Sequence, residues 1–121
     1  MLWQLKDKGV RRPHDLPQHI ERRLLFALSR FSGRIQKVLV FLEDTNGPRG
    51  GVDKVCRILV KTRGMGATLA SATHSDWTTC VDQATGSIGH ALARHIARHR
   101  TQRGLLSRLS RLRMAPFFGT G

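Results

Sequence analysis

The sequence predicts an α+β fold of order β-α-β-β-β-α, with two helices packed on one face of a four-stranded, mostly antiparallel sheet. Two segments, Ile20 to Phe31 and Trp77 to Ile96, carry apolar residues at spacings of three and four, which is typical of helices with one buried side. Between them lie three runs of period two joined by short connections, which is typical of an antiparallel meander.

The first strand and the first helix come from the N-terminal third. Leu2 to Lys6 alternates apolar and polar residues, with Trp3 and Leu5 on one face, and a turn follows over 8–13. Asp15 is expected to cap the first helix, with Pro17 in its first turn, because these residue types favour helix starts. Its apolar residues are Ile20, Leu24, Leu25, Leu28 and Phe31, and Gly33 is expected to end it.

Three strands are predicted next. Ile35 to Glu43 would turn Val38, Val40 and Leu42 inward, and 54–62 would turn Cys56, Ile58 and Val60 inward. Ala67 to Thr73 gives a weaker third strand. Turn residues over 44–51 and 63–66 provide the two connections.

The second helix is expected to start at Asp76, which can cap it. Its apolar positions have helical spacing, namely Trp77, Cys80, Val81, Ala84, Ile88, Leu92 and Ile96. Gly86 and Gly89 each cost about 1 kcal/mol relative to alanine inside a helix, so they either allow close packing or mark a weak point. We predict one domain over residues 1–100 and a basic tail, either disordered or ordered on binding, over 101–121.

The charge balance is the strongest compositional signal. Lys and Arg number 21 against 8 Asp and Glu, a net charge of +13, and the pI is about 11.7. Such an excess predicts attraction to polyanions, which leaves nucleic acid and anionic membrane as candidate surfaces. Most of the cations are arginine, whose planar fork suits phosphates and bases.

The cysteines and the N-terminus indicate an intracellular protein. Cys56 and Cys80 lie on apolar faces and do not form a CxxC pair, so two buried, reduced thiols are expected. The first residues lack the architecture of a signal peptide. No apolar stretch reaches the ~18 residues that a membrane span requires, and we expect a cytoplasmic location.

No catalytic or metal site is predicted. His95 and His99 are four apart on a helix, but no cysteine or acid completes a zinc site and arginines lie beside them. Asp82, Ser87 and a distant histidine have no spacing that makes a triad. Gly47 to Gly51 lacks the phosphate-loop pattern and fits a hairpin turn better. We therefore expect a non-enzymatic protein without cofactor, metal or small-molecule substrate.

The basic residues predict RNA binding. From residue 83 onward the chain has seven arginines and no acid. If the two helices lie side by side, their cations form one face that contacts phosphates, with salt-dependent affinity. The predicted RNA-binding residues are Arg22, Arg23, Arg30, Arg34, His90, Arg94, Arg98 and Arg100.

Two alternatives stay open. Leu105, Leu106, Leu109 and Leu112 alternate with arginines in the tail, a basic amphipathic pattern that could bind a membrane or a partner protein. A double-stranded RNA-binding module also pairs two helices with a three-stranded sheet. Such a module has a basic cluster at the start of its last helix. At that position this chain has Asp76-Trp77-Thr78.

Several motifs, in order, resemble the ribosome hibernation-promoting factors, the group that includes ribosome-associated inhibitor A. Ile20-Glu21-Arg22-Arg23-Leu24 leads to Leu28-Ser29-Arg30-Phe31 and then the strand 35–43. The segment 46–56 resembles the group's "GxxGGxDKxC" turn, and 76–84 resembles its "DxxxAIDxAxxxL" helix start, with Cys80-Val81-Asp82 in place of Ala-Ile-Asp. The resemblance covers about residues 19–100.

This resemblance implies the same β-α-β-β-β-α fold, without enzymatic activity. It implies binding in the mRNA and tRNA channel of the small ribosomal subunit, and inhibition of translation during stress or stationary phase. The carried-over contacts are Arg94, Arg98 and Arg100, with Arg23 and Arg30. In mid-helix, Gly86, Ser87 and His90 replace charged residues of many relatives. Longer relatives have a further, dimerising domain; about 20 residues follow the core here, so we expect a monomer away from the ribosome and no membrane binding.

Overall fold

The computed structural model describes residues 2–45 and 54–113, with side chains up to Thr101. Its elements are strand β1 (Trp3–Lys6), helix α1 (Leu16–Leu28), a 3₁₀ segment (Ser29–Arg34), strands β2 (Ile35–Asp44), β3 (Lys54–Thr62) and β4 (Gly66–His74), and helix α2 (Trp77–Arg113). The predicted α+β class and element order are confirmed. Of the predicted turn over 44–51, residues 46–51 lie outside the described residues, as do the side chains of the tail leucines Leu105, Leu106, Leu109 and Leu112.

The four strands form one mixed sheet in the order β1-β2-β3-β4. β1 runs parallel to β2, with Leu5 opposite Val40. The other two pairings are antiparallel, and Val40 lies opposite Ile58, which lies opposite Ala70. The sheet is therefore mostly antiparallel, as predicted, and the parallel edge arises because α1 returns the chain to the same end.

The core lies between the two helices and one face of the sheet. The strands contribute the predicted inward residues Val38, Val40, Leu42, Cys56, Ile58 and Val60, all buried. All seven apolar positions predicted for α2 are buried as well. Alternation in the strands and spacings of three and four in the helices therefore identified the core correctly.

Helix α1 differs from the prediction in three details. Asp15 occupies the N-cap position but makes no side-chain capping bond. Leu25 is 47% exposed, because the buried stripe repeats every four residues through Leu16, Ile20, Leu24 and Leu28. Gly33 does not end the helix: α1 ends at Leu28, and Gly33 lies in the following 3₁₀ segment.

Helix α2 begins as predicted and continues past residue 100. The Asp76 carboxylate accepts hydrogen bonds from the Thr79 backbone N–H (2.9 Å) and hydroxyl (3.0 Å), which caps the helix. Trp77 Nε1 donates to the Arg11 carbonyl (2.8 Å) and ties the 7–14 loop to this end. The helical backbone extends to Arg113, so the proposed boundary at residue 100 falls inside a helix. The division into domain and tail stays a prediction.

Candidate nucleic-acid interface

The two helices lie side by side, which is the arrangement on which the predicted cationic face depends. A Cβ added at Gly89 would lie 3.5 Å from both the Cβ and the carbonyl oxygen of Ala27, so the backbones approach closely there. Two turns earlier in α2, Asp82 Oδ1 accepts a hydrogen bond from His19 Nε2 (2.7 Å) and lies 3.3 Å from Arg23 Nε. These contacts hold α1 against the first half of the described part of α2.

A groove runs between the helices beside these contacts, and it brings together three of the eight predicted residues. We call it the inter-helix groove; it encloses about 350 Å³ and is lined by Arg23, Phe26, Ala27, Arg30, Gly86, Gly89 and His90. The Arg30 guanidinium stacks over the Phe31 ring, 4.6 Å from its centroid. Aromatic contact of this kind orients a guanidinium without neutralising its charge.

Arg34 lies in a second cationic pocket at the end of the 3₁₀ segment. This sheet-end pocket is lined by Gly33, Arg34, Arg63, Gly64, Met65 and His99. Arg63 belongs to the β3–β4 turn, and its backbone N–H donates to the Arg34 carbonyl at 2.9 Å. Two cations from distant parts of the sequence are therefore neighbours, and both side chains are exposed.

The remaining predicted residues are exposed but line neither pocket. Arg22 lies on the outer side of α1, and Arg94, Arg98 and Arg100 lie on α2. His90, Arg94 and Arg98 follow at steps of four, and each step of four advances 40° beyond a full turn. This row therefore winds across the outer surface of α2, and Arg100, two residues after Arg98, lies about 160° from Arg98 around the helix. The exposed cations of α2 are thus spread over more than one side of the helix and do not form one narrow stripe.

Three carboxylates of the described chain pair with cations on the sheet or in the loop after β1. Asp7 pairs with Arg12 (2.8 Å), Glu43 with Arg57 (2.9 Å) and Asp44 with Lys54 (3.9 Å), all on the sheet or the loop after β1. Among residues 2–45 and 54–101, Arg23 is the predicted site residue that lies within ion-pair distance of a carboxylate. Within these same ranges the other predicted arginines form no such pair; we call them the helix-face arginines: Arg22, Arg30, Arg34, Arg94, Arg98 and Arg100.

The pKa shifts in the described part have structural causes. Burial raises the pKa of the Cys56 thiol to about 12, and burial also raises the pKa of Cys80. The side-chain hydrogen bond from Arg12 lowers the pKa of Asp7, and the hydrogen bonds from Thr79 lower that of Asp76. Both cysteines are buried and free, as predicted.

Two histidines of α2 lie beside the β3–β4 turn. His95 Nε2 donates a hydrogen bond to the Met65 carbonyl at 2.6 Å, which fastens α2 to the β3–β4 turn. His99 faces the sheet-end pocket. Within the part of the chain that the structure describes, no three potential ligands cluster around a metal position.

Sequence reasoning missed three residues of these surfaces. Phe26 is 81% exposed on the rim of the inter-helix groove, and Arg63 and His99 complete the sheet-end pocket. A signal for Phe26 was present, since it lies outside the four-residue spacing of the buried stripe. Arg63 joins the site through the register of the hairpin, which a single sequence does not reveal.

Two solved structures resemble this fold. A ribosomal subunit interface protein from Coxiella burnetii matches with a TM-score of 0.66 and 20% identity, over 80% of this chain and 99% of that one. The N-terminal domain of Protein Y from Thermus thermophilus matches with a TM-score of 0.62 and 16% identity, over 78% of this chain and 98% of that one. No protein-family model and no curated protein matches the sequence.

These likenesses demonstrate a shared fold. The resemblance to the ribosome hibernation-promoting group is thereby confirmed at the level of architecture. Both matches cover nearly all of the neighbouring chain, so the shared part is the whole of that fold and not one motif.

Across the described ranges, no helix has the length and apolarity required to cross a bilayer.

Proposed function

We propose that this protein binds the small ribosomal subunit, in the mRNA and tRNA channel, and inhibits translation during stress or stationary phase by occupying that space. The observation that carries the proposal is the set of six exposed helix-face arginines that have no carboxylate partner in the described chain. Cations without an internal partner are available for phosphates. The fold, shared with a ribosomal subunit interface protein, supports the ribosome as the source of those phosphates.

The predicted RNA-binding residues would act in different ways. The helix-face arginines would neutralise rRNA phosphates and displace counterions, which contributes most of the affinity. Arg23 and His90 lie at the inter-helix groove, where Arg23 is partly engaged by Asp82. We therefore expect Arg23 to contribute less than Arg30, although the two line the same groove.

A purely steric mechanism needs no catalytic group, and we propose that the protein is not an enzyme. The shifted pKa values at Asp7, Asp76, Cys56 and Cys80 follow from an ion pair, a helix cap and two buried thiols. Perturbed groups in enzymes instead tend to cluster in a cleft.

Binding to plain RNA duplexes is disfavoured by the start of α2. A double-stranded RNA-binding module needs cations there to reach across the grooves. In this chain, Asp76 caps the helix and Trp77 is buried. An acidic cap at that position would repel a phosphate backbone.

Cosedimentation with purified small subunits tests the proposal. Six phosphate contacts by the helix-face arginines predict a slope of log affinity against log salt of about −4 to −5. Large subunits and an RNA duplex of similar length serve as controls and are expected to bind more weakly. Binding that is insensitive to salt, or equal for all three targets, would contradict the proposal.

A further inference from the structure

The two glycines of α2 that line the inter-helix groove are not required by the fold. Neither has a positive φ. A Cβ at Gly89 would make an ordinary contact with Ala27, at 3.5 Å, and a Cβ at Gly86 would meet nothing within 4 Å. Alanine would therefore fit at both positions and would favour the helix by about 1 kcal/mol each. Both glycines line the inter-helix groove, and at Gly86 the missing side chain leaves open space.

The rim of the groove carries an aromatic ring that the core does not use. Phe26 is 81% exposed, and the Arg23 guanidinium lies 5.6 Å from its ring centroid. The ring stands at the edge of the groove and not within the hydrophobic cluster. Exposed aromatic rings next to cations are the usual platforms on which proteins stack unpaired nucleic-acid bases.

Hydrogen-bonding capacity is also available at this place. Arg23 Nε is shielded from solvent, lies 3.3 Å from Asp82 and makes no hydrogen bond with the described residues. Arg30 and His90 are exposed at the rim. The groove thus combines an open glycine floor, an aromatic ring and cationic groups, and its volume of about 350 Å³ is at the small end of ligand sites, roughly 300–1,000 Å³.

We propose that the inter-helix groove receives one unstacked RNA base, which stacks on Phe26 over Gly86 and Gly89, while Arg23 and Arg30 hold the adjoining phosphates. The inference deepens the proposed function, on which it rests for the source of the RNA. It adds a contact to a base where the helix-face arginines contact only the backbone. A duplex cannot make this contact, because its bases are paired and stacked.

The direct test compares two single-stranded RNA oligonucleotides of equal length, one with bases and one with an abasic run at its centre, by fluorescence anisotropy. Both carry the same number of phosphates, so the difference in affinity reports contact with bases. The wild type is expected to prefer the base-containing strand roughly 10-fold, since stacking on one aromatic ring contributes about that much. Equal affinity for the two strands would overturn the inference.

Two variants locate the contact. Gly86→Leu fills the open floor, and Phe26→Leu removes the ring but keeps an apolar side chain; each is expected to abolish the preference and leave abasic binding within about twofold. Gly86→Leu should fold, because leucine favours a helix more than glycine does and a Cβ at this position meets no atom within 4 Å. The matched control is Leu69→Ala on the sheet's open face, at a residue that is 59% exposed and is expected to keep the preference. If Gly86→Leu retains the preference, the base binds elsewhere.

The same variants separate this inference from the proposed function. Gly86→Leu should weaken binding to small subunits roughly 10-fold without changing the salt dependence, because no charge is lost. Undiminished, salt-dependent subunit binding by Gly86→Leu would overturn the groove contact and leave the proposed function standing. If the wild type fails to bind small subunits and still prefers bases over abasic RNA, the proposed function fails and the groove contact stands.

Discussion

Three cations on or beside the sheet differ from the helix-face arginines in their neighbours. Arg12, Lys54 and Arg57 each lie within ion-pair distance of a carboxylate, whereas the helix-face arginines have none in the described chain. An exposed ion pair contributes little to stability, but it neutralises a charge that would otherwise attract a polyanion. The positions of the acids in the described chain, more than the net charge, therefore decide which cations are left without a carboxylate partner.

Removing two helix-face arginines tests directly whether cations without a carboxylate partner bind phosphates. Each phosphate contact contributes roughly a factor of 5 to 8 at about 100 mM salt, so Arg94→Ala with Arg98→Ala should lower small-subunit affinity roughly 30- to 60-fold. The slope of log affinity against log salt should become shallower by about 1.4 to 1.8. Cosedimentation across a salt series measures both quantities.

The matched control removes two cations from the paired group. Arg12→Ala with Arg57→Ala lowers the net charge equally, but each arginine already has a carboxylate partner. We expect affinity within about threefold of the wild type and an almost unchanged slope. Equal losses in the two double variants would mean that total charge, and not its location, governs binding.

Replacing Asp82 by a neutral residue would leave Arg23 without its carboxylate partner, like the helix-face arginines. Asp82→Asn removes the partner of Arg23 and should raise affinity for small subunits roughly fivefold, as one further cation becomes available. Because the side chains involved are partly exposed, the free energy of unfolding should fall by about 1 kcal/mol or less. Asn can still accept the hydrogen bond from His19, so the helices should stay together.

Asp15→Asn is the control for the charge change. It removes one acid at the N-cap of α1, where the carboxylate makes no capping bond. A gain in affinity equal to that of Asp82→Asn would show that Arg23 is not held back by its pairing. Denaturant titration followed by circular dichroism checks the stability of both variants.

The fold was predictable from the sequence because its core follows simple periodicities. Val38, Val40 and Leu42 alternate in β2, and Ile88, Leu92 and Ile96 recur every four residues in α2. The end of α1 was not predictable in the same way. Gly33 suggested a helix end, but the chain tightens into a 3₁₀ segment already at Ser29, a change that no residue type at that point demands.

For the candidate site, the sequence predicted which cations are exposed but not how they are arranged in space. Exposed arginines on helices can be read from composition and spacing, and Arg30 and Arg94 are exposed. Which of them is neutralised depends on contacts between distant residues, such as Arg23 with Asp82. The inter-helix groove likewise arises where two helices meet, so no pattern within either helix predicts its shape.

The two aspartates at the starts of the helices should differ slightly in their influence on the pH dependence of stability. The Thr79 backbone N–H and hydroxyl donate to Asp76 and hold the pKa of that carboxyl below its ordinary value. A depressed folded-state pKa gives stability that is present above the unfolded-state pKa and is lost as pH falls through the folded value, hence below about pH 4. Asp76→Asn keeps a capping oxygen that does not titrate, so its denaturation midpoint should depend less on pH in that range. Asp15→Asn, at a cap position without a capping bond, should follow the wild-type curve, and a flattened curve for Asp15→Asn would contradict this assignment.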